Sequence, residues 1–164
     1  MRLAYSLFIA LIVLQSSGCR SAVLDAPQAS VKREDIPKER VGELLVWISK
    51  NSSYNTDFPP PKFIFVPIDE LQRLYYGNQR STRQGFIYAL YGKGTIWLDT
   101  LFSSPRDDWI LVHELVHYIQ DKNGVVFKCS AEAERDAHVI QAKFVDELGI
   151  GKKATPKLLN SLKC

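Results

Sequence analysis

The sequence lacks several features that would point to particular classes of protein. No cluster of basic residues stands out and the formal net charge is only +3, so the composition gives no indication of nucleic-acid binding. There is also no internal repeat and no low-complexity tract, which argues against a repeat protein. With 164 residues, of which 46% are hydrophobic, the chain is long enough for one globular domain rather than two.

An apolar run of membrane-spanning length is absent as well. Residues 3–14 are apolar and uncharged and follow Arg2, but a spanning helix needs about 20 such residues. A short apolar run after a positive charge is typical of a secretory signal. We therefore expect residues 1–18 to be a signal peptide.

The residues around the expected cleavage site resemble a bacterial lipoprotein signal. Small residues precede Cys19, although Ser16 stands where that signal usually has Leu. The resemblance implies that a lipid on Cys19 attaches the protein to a membrane, and Arg20 implies the outer membrane, facing the periplasm. Plain secretion into the periplasm is the alternative. Residues 19–35 have mixed charge and no apolar periodicity, so we expect a flexible tether before a domain at 36–164.

The strongest functional signal is the stretch His113-Glu114-Leu115-Val116-His117. On a helix, residues four apart lie about one turn apart on the same face, so His113 and His117 can hold one metal ion. Glu114 lies beside them, placed to act on a water bound to that metal. This H-E-x-x-H spacing is the signature of zinc peptidases, with two ligands and the general base.

The residues around this motif predict a buried central helix. Residues 109–119 are apolar on nearly every side of the helix. Ser104 and Pro105 are expected as its N-cap and first residue, and Asn123-Gly124 as its end. Ionisable residues in so apolar a helix are costly to bury without a partner, and a bound metal removes that cost. A histidine pair that only caps a polar patch is the alternative.

A zinc ion held by two histidines needs a third protein ligand. The H-x-x-G-x-x-H extension of one family of zinc peptidases is absent, because Gln120 and Asn123 occupy its Gly and last His positions. A Glu from a later helix is the alternative, and Glu132 and Glu134 are the candidates. At about 100° per residue, Glu134 lies roughly 60° from Ala137 on the shoulder of the buried arc, whereas Glu132 faces solvent. We therefore expect Glu134 to be the third ligand.

Together these residues give the chain a resemblance to small gluzincin-type zinc metallopeptidases. Glu134-Arg135-Asp136-Ala137 resembles the E-x-x-A stretch that carries the third ligand in several of them. The resemblance extends over about residues 37–148 and implies an α+β fold. The fold that the resemblance implies is a minimal zincin-like domain. In such a domain a small sheet with a hairpin packs on the H-E-x-x-H helix and on the Glu-bearing helix after it.

Apolar periodicity and turn residues predict the order of the elements. Helices are expected from Pro37, over 70–76, over the motif, over 131–148 and near the C-terminus, with strands over 62–66, 86–91 and 95–98. The last two strands are joined by Gly92-Lys93-Gly94, which indicates a hairpin. In the helix over 70–76, Leu71, Leu74 and Tyr75 are expected to face inward.

One position departs from the gluzincin pattern. Many relatives have an Asp four residues after the Glu ligand, where it supports a zinc-binding histidine, and here that residue is His138. His138 is expected to face the site, about 40° round the helix from Glu134, where it would orient a ligand or stabilise the oxyanion. A boundary histidine with a water partner is the alternative. Asp121 is a weaker candidate for supporting a ligand.

Two cysteines remain once Cys19 is assigned to the lipid. Cys129 and Cys164 are an even pair, and in an oxidising compartment such a pair indicates a disulfide. The bridge would hold the C-terminal tail near the metal site. Two unpaired thiols are the alternative, and Cys129 as a metal ligand is a third option.

The sequence as a whole predicts an exported, lipid-anchored zinc metallopeptidase of the cell envelope. His113, His117 and Glu134 would bind Zn²⁺, with Glu114 and His138 as catalytic residues and a peptide or protein as substrate. Two alternatives stay open: a zincin-fold envelope module that binds zinc without proteolysis, and a zinc amidase acting on a non-peptide substrate. The presence of Glu114 favours an enzyme, because a structural site needs the histidines but not the base.

Overall fold

The part of the chain that the structure describes has a mixed α+β fold. The structure is a computed structural model, and it describes residues 36–77, 87–149 and 156–164. The elements are α1 (Lys38–Asn51), β1 (Lys62–Val66), α2 (Ile68–Tyr76), β2 (Ala89–Gly92), β3 (Thr95–Asp99), α3 (Asp108–Lys122), α4 (Ser130–Glu147) and α5 (Pro156–Ser161). The predicted signal peptide and tether lie outside the described residues. Among the described helices, none is both long enough and apolar enough to cross a membrane.

The H-E-x-x-H helix, α3, lies in the middle of the core, as its apolar composition predicts. Leu111, Leu115 and Ile119 are fully buried. Helices α1 and α4 and strand β2 all pack against α3. The helix ends at Lys122, and Gly124 beyond it adopts a φ of +64°, a left-handed conformation that glycine tolerates. A helix held by several elements keeps its polar side chains in fixed positions.

The described strands form one sheet in the order β1-β3-β2. Strands β2 and β3 are antiparallel and form the predicted hairpin, with Gly92 paired to Thr95. Lys93 and Gly94 between them have φ values of +47° and +75°, as a type I′ turn requires. Strand β1 lies parallel to β3 on its other side, which leaves β2 at an edge of the sheet.

Helix α2 and strand β2 begin at other residues than the sequence predicts. Strand β2 begins at Ala89 rather than at residue 86, and α2 begins at Ile68, after Pro67. In α2, Leu71 is fully buried, whereas Leu74 and Tyr75 are 39% and 52% exposed. Because α2 is short and packs against the small sheet, it buries a narrower face than its apolar residues indicate.

The start of α3 was predicted wrongly. The helix begins at Asp108 with Asp107 as N-cap, rather than with Ser104 as N-cap and Pro105 as first residue. The residues before it form a separate turn, in which the Asp107 carboxylate accepts a hydrogen bond from the backbone N–H of Ser103 (2.9 Å). Arg106 binds the same carboxylate at 2.7 Å. These local bonds hold the turn outside the helix.

A buried ion pair holds the first turn of α3 against α1. Asp108 is fully buried, and Arg40 donates to its Oδ2 atom from Nε (2.7 Å) and from Nη2 (2.5 Å). A charge in this position needs such a partner, because an unpaired buried carboxylate is strongly unfavourable. The pair therefore fixes the start of the motif helix.

Helix α4 carries the predicted third ligand and packs along α3. Its buried face includes Ala137, Ile140 and Phe144, whereas Leu148 beyond its end is 48% exposed. The helix follows directly after Cys129, whose Cα atom lies 5.7 Å from that of Cys164, with the sulfur atoms at bonding distance. These positions are compatible with the disulfide, which stays a prediction.

Candidate metal centre

Two histidines of α3 and a glutamate of α4 meet at one point. The Nε2 atoms of His113 and His117 lie 3.1 Å apart. The Glu134 carboxylate faces both rings, with Oε2 at 3.2 Å from His113 Nε2 and Oε1 at 3.4 Å from His117 Nε2. The structure thus brings together the three side chains that the sequence predicts as ligands.

The distances among these atoms suit a single metal ion. In a tetrahedral site with metal–ligand bonds of about 2.0–2.1 Å, neighbouring ligand atoms lie about 3.3–3.4 Å apart. The two histidine nitrogens are 3.1 Å apart, which is close to that value. One oxygen of Glu134 lies 3.2 Å from His113 Nε2 and the other lies 3.4 Å from His117 Nε2, so the three side chains surround one small space. Imidazole and carboxylate suit several divalent metals, so the donor set by itself does not fix which metal binds.

Gln120 determines which nitrogen of His117 carries the proton. Its amide Nε2 donates to the Asp136 carboxylate (2.9 Å), which also accepts the Tyr54 hydroxyl (2.5 Å). Because a carboxylate only accepts, the Gln120 amide oxygen must face His117, whose Nδ1 lies 3.0 Å away. His117 Nδ1 therefore holds the proton, and its Nε2 lone pair points at His113 and Glu134. Outer partners of this kind are what metal-binding histidines require.

The cluster attracts positive charge. Burial lowers the pKa of His113. Burial also acts to lower the pKa of His117, but its hydrogen bond with Glu134 and the nearby carboxylates raise that pKa overall. For Glu134, burial acts to raise the pKa, yet the hydrogen bonds with both histidines hold it far below its usual value. An ionised carboxylate beside ring nitrogens with lone pairs is favourable when a proton or a metal ion lies among them.

Glu114 lies beside the three donors without being one of them. Its side chain is 7% exposed, and burial raises its pKa to about 7, although the nearby His117 acts to lower it. The backbone N–H of Tyr91, in β2, donates a hydrogen bond to its carboxylate. A carboxyl group with a pKa near neutrality can both take up and return a proton.

A cleft of about 430 Å³ opens in front of the donors and Glu114. Apolar and aromatic side chains make up much of its lining: Tyr75, Ile87, Leu90, Tyr91, Val125 and Phe127. A cleft that combines apolar walls with convergent polar groups suits a small molecule or a peptide. The candidate metal centre is therefore accessible to a substrate.

Two other acidic residues considered from the sequence have different partners. Glu132 accepts a hydrogen bond from the backbone N–H of Lys128 (2.9 Å) at the start of α4. Asp121 accepts one from the Tyr91 hydroxyl (2.5 Å). In the described structure neither carboxylate contacts a histidine, so Asp121 does not have the supporting role considered for it.

His138 lies behind the donors rather than in the cleft. Its ring centroid is 4.5 Å from that of His113, and it is not among the described residues that line the cleft. Gln141 donates its amide nitrogen to the Trp109 carbonyl (2.9 Å), so its oxygen faces His138 Nδ1 at 2.9 Å. His138 therefore carries its proton on Nδ1, and its Nε2 atom has a lone pair that can accept a hydrogen bond.

His138 lies where its ring can help to orient the ring of His113. Among the described residues, the buried His113 Nδ1 atom has no hydrogen-bond partner. His113, Glu134 and His138 also form a group that can hold a metal ion, with donor atoms within 4.8 Å of one another. The set that includes His117 has shorter distances, all 3.4 Å or less, and we take it as the inner ligand set. Of the two predicted roles of His138, its place favours orienting a ligand over stabilising an oxyanion.

Sequence reasoning missed the two glutamines that hold these histidines. Gln120 lies three residues after His117, and Gln141 lies three residues after His138. Residues three apart on a helix share a face, so a glutamine at this spacing is a signal that was available. The Asp136 carboxylate that orients Gln120 has no such local signal, because it comes from another helix.

Replacing Gln120 with Leu should weaken metal binding about 10–100-fold, the usual cost of losing an outer partner of a ligand. Leucine cannot accept the proton of His117 Nδ1, so the ring is free to turn. Competition with a chromophoric chelator measures the affinity. The control is Gln72→Leu, which removes an amide on α2 that contacts the Ile87 carbonyl, outside the donor set. An unchanged affinity for Gln120→Leu would contradict the tautomer assignment.

The chain was compared with protein families, with curated proteins and with solved structures. A family model described as Domain of unknown function (DUF6647) matches residues 33–157, which include the whole candidate centre. No curated protein and no solved structure matches the chain.

Proposed function

The chain belongs to the DUF6647 family, and we propose from its His/Glu centre that it is a zinc-dependent metallopeptidase. The observation that carries the proposal is the convergence of His113, His117 and Glu134 next to the buried Glu114 at an open cleft. A purely structural metal site needs the three donors but no further carboxylate. Burial of the Glu114 carboxylate is costly, and a role as base accounts for it.

The residues of the centre divide into ligands and a base. His113, His117 and Glu134 would hold the zinc ion. When bound, zinc would polarise the scissile carbonyl and lower the pKa of a coordinated water towards 7. Glu114 takes a proton from the attacking water and returns it to the leaving amine. The backbone N–H of Tyr91 holds the Glu114 carboxylate in place for both transfers.

The edge of the sheet supports a peptide as the substrate. Tyr88 accepts a hydrogen bond from the Asp99 backbone (3.0 Å), so in the antiparallel ladder Leu90 also pairs with β3. The backbone groups of Ala89 and Tyr91 therefore point to the other side, the edge that no described strand covers. The Tyr91 N–H on that side binds Glu114, which leaves the Ala89 groups and the Tyr91 carbonyl for a peptide. An extended peptide can add to such an edge by main-chain hydrogen bonds, which would lay it along the cleft.

The finer features of the sequence prediction belong to the same proposal. The domain is of the zincin type and resembles small gluzincins, with β2, α3 and α4 as the elements around the metal. The protein is exported to the bacterial envelope, through a signal peptide and a lipid on Cys19. A disulfide between Cys129 and Cys164 fits the oxidising compartment that export implies.

The purified mature protein should contain about one zinc per chain and should cleave members of a diverse peptide library. Removal of the metal with a chelator should abolish cleavage, and added zinc should restore it. Metal analysis and mass spectrometry of the digest measure the two results. If the zinc-loaded protein cleaves nothing, the non-proteolytic binding module becomes the better description. If it takes up no zinc, the assignment of the centre itself is wrong.

A further inference from the structure

A hydrogen-bond donor beside the metal would add to the stabilisation of the transition state that zinc provides. As water attacks, negative charge develops on the oxygen of the scissile carbonyl, and a placed hydrogen-bond donor stabilises it. Of the polar side chains lining the cleft, Gln120 donates to Asp136 and the Tyr91 hydroxyl donates to Asp121. His138 does not line the cleft. Among the described residues, such a donor would therefore have to be another side chain of the cleft lining.

Tyr75 is placed to act as that donor. It lies four residues after the fully buried Leu71, on the same face of α2. Its side chain lines the cleft and is 52% exposed. Glu114 and Glu134 line the same cleft as Tyr75.

The Tyr75 hydroxyl is also available for a substrate. Among the described residues it has no hydrogen-bond partner, and its ring is held by an edge-to-face contact with Tyr76 at 4.7 Å. Partial burial and the nearby Glu134 carboxylate raise the pKa of Tyr75 above its usual value, so the phenol keeps its proton at neutral pH. A protonated phenol with no internal acceptor can donate to an oxyanion at no cost of breaking another bond.

We propose that Tyr75 is a catalytic residue, whose hydroxyl donates a hydrogen bond to the oxyanion formed at the scissile carbonyl. The inference rests on the proposed peptidase function and assigns a residue of α2 to it. Ser130 also lines the cleft, but it is the exposed first residue of α4. This role makes α2, the helix before the hairpin, part of the proposed active site.

Tyr75→Phe tests the proposal, with Tyr76→Phe as the matched control on the same helix. Tyr75→Phe should lower kcat by about a hundredfold, as loss of one oxyanion donor does, with little change in KM. Zinc content should stay the same in both variants. A second readout is inhibitor binding: Tyr75→Phe should weaken a peptide phosphonamidate, whose tetrahedral phosphoryl oxygens mimic the oxyanion. It should leave a thiol inhibitor, which has no such oxygen, unchanged.

The outcomes separate this proposal from the function on which it rests. If wild type cleaves peptides and Tyr75→Phe matches it in kcat and in phosphonamidate binding, the role of Tyr75 is wrong and the peptidase stands. Equal losses in Tyr75→Phe and Tyr76→Phe, or equal weakening of both inhibitors, would show a general effect on the shape of α2 and would also overturn the role. If wild type cleaves nothing, the proposed function fails, and Tyr75 loses its role with it.

Discussion

Glu114→Gln should lower peptide hydrolysis by about 10²–10⁴-fold, the usual cost of losing a general base. Glutamine has nearly the size of glutamate and can still accept the Tyr91 backbone hydrogen bond, but it cannot take up the proton of the attacking water. Glu114 is not one of the three inner donors, so all of them remain. The variant should therefore bind zinc and fold like wild type while losing its activity.

The measurement is kcat/KM on a peptide that wild type cleaves, together with zinc content and thermal melting. Glu43→Gln is a suitable control, because Glu43 is an exposed carboxylate on α1 that pairs with Arg40. That change should leave hydrolysis within the experimental error. Wild-type activity in Glu114→Gln would remove the base from the mechanism, and with it the main reason for preferring an enzyme to a binding module.

Glu134→Ala should weaken zinc binding roughly a hundredfold to a thousandfold. Zinc-binding free energies of about 10–16 kcal/mol, divided over four ligands, correspond to about 2.5–4 kcal/mol for each ligand. Glu134 faces both histidines at 3.2 and 3.4 Å, so its removal leaves two protein ligands and an incomplete site. Competition with a chelator of known zinc affinity gives the change directly.

Glu132→Ala is the matched control for this prediction. Glu132 is two residues away on the same helix, but its carboxylate accepts a hydrogen bond from the Lys128 backbone. Its loss should cost about 1 kcal/mol of stability, as for other helix caps, and should not change zinc affinity. If Glu132→Ala lost the metal and Glu134→Ala kept it, the helix-face assignment would be reversed.

Local periodicity explains why much of the centre follows from the sequence. The spacing of His113 and His117 fixes their common face once α3 is a helix, and helix geometry distinguishes Glu134 from Glu132 without knowledge of the fold. The structure places Glu134 against both rings and Glu132 against the backbone, in line with that geometry. The Lys93-Gly94 turn is equally local, since its positive φ values follow from two adjacent residues.

Long-range packing explains what the sequence missed. Tyr75 was expected to face inward with Leu71, but it is 52% exposed and lines a cleft that it shares with other elements. Asp136 orients Gln120 only because α4 packs along α3. In both cases the partner lies on a different element, and no periodic pattern within one segment records it.

The sequence by itself determined the H-E-x-x-H helix, the hairpin before it, and the helix face on which Glu134 lies. These features depend on residues within a few turns of one another, where backbone geometry leaves little choice. The tertiary structure alone decided that β1 lies parallel to β3, that the Tyr91 backbone binds Glu114, and that His138 lies behind His113 rather than in the cleft. Those relations depend on how separate elements pack to bury their apolar faces, and many packings satisfy the same apolar pattern.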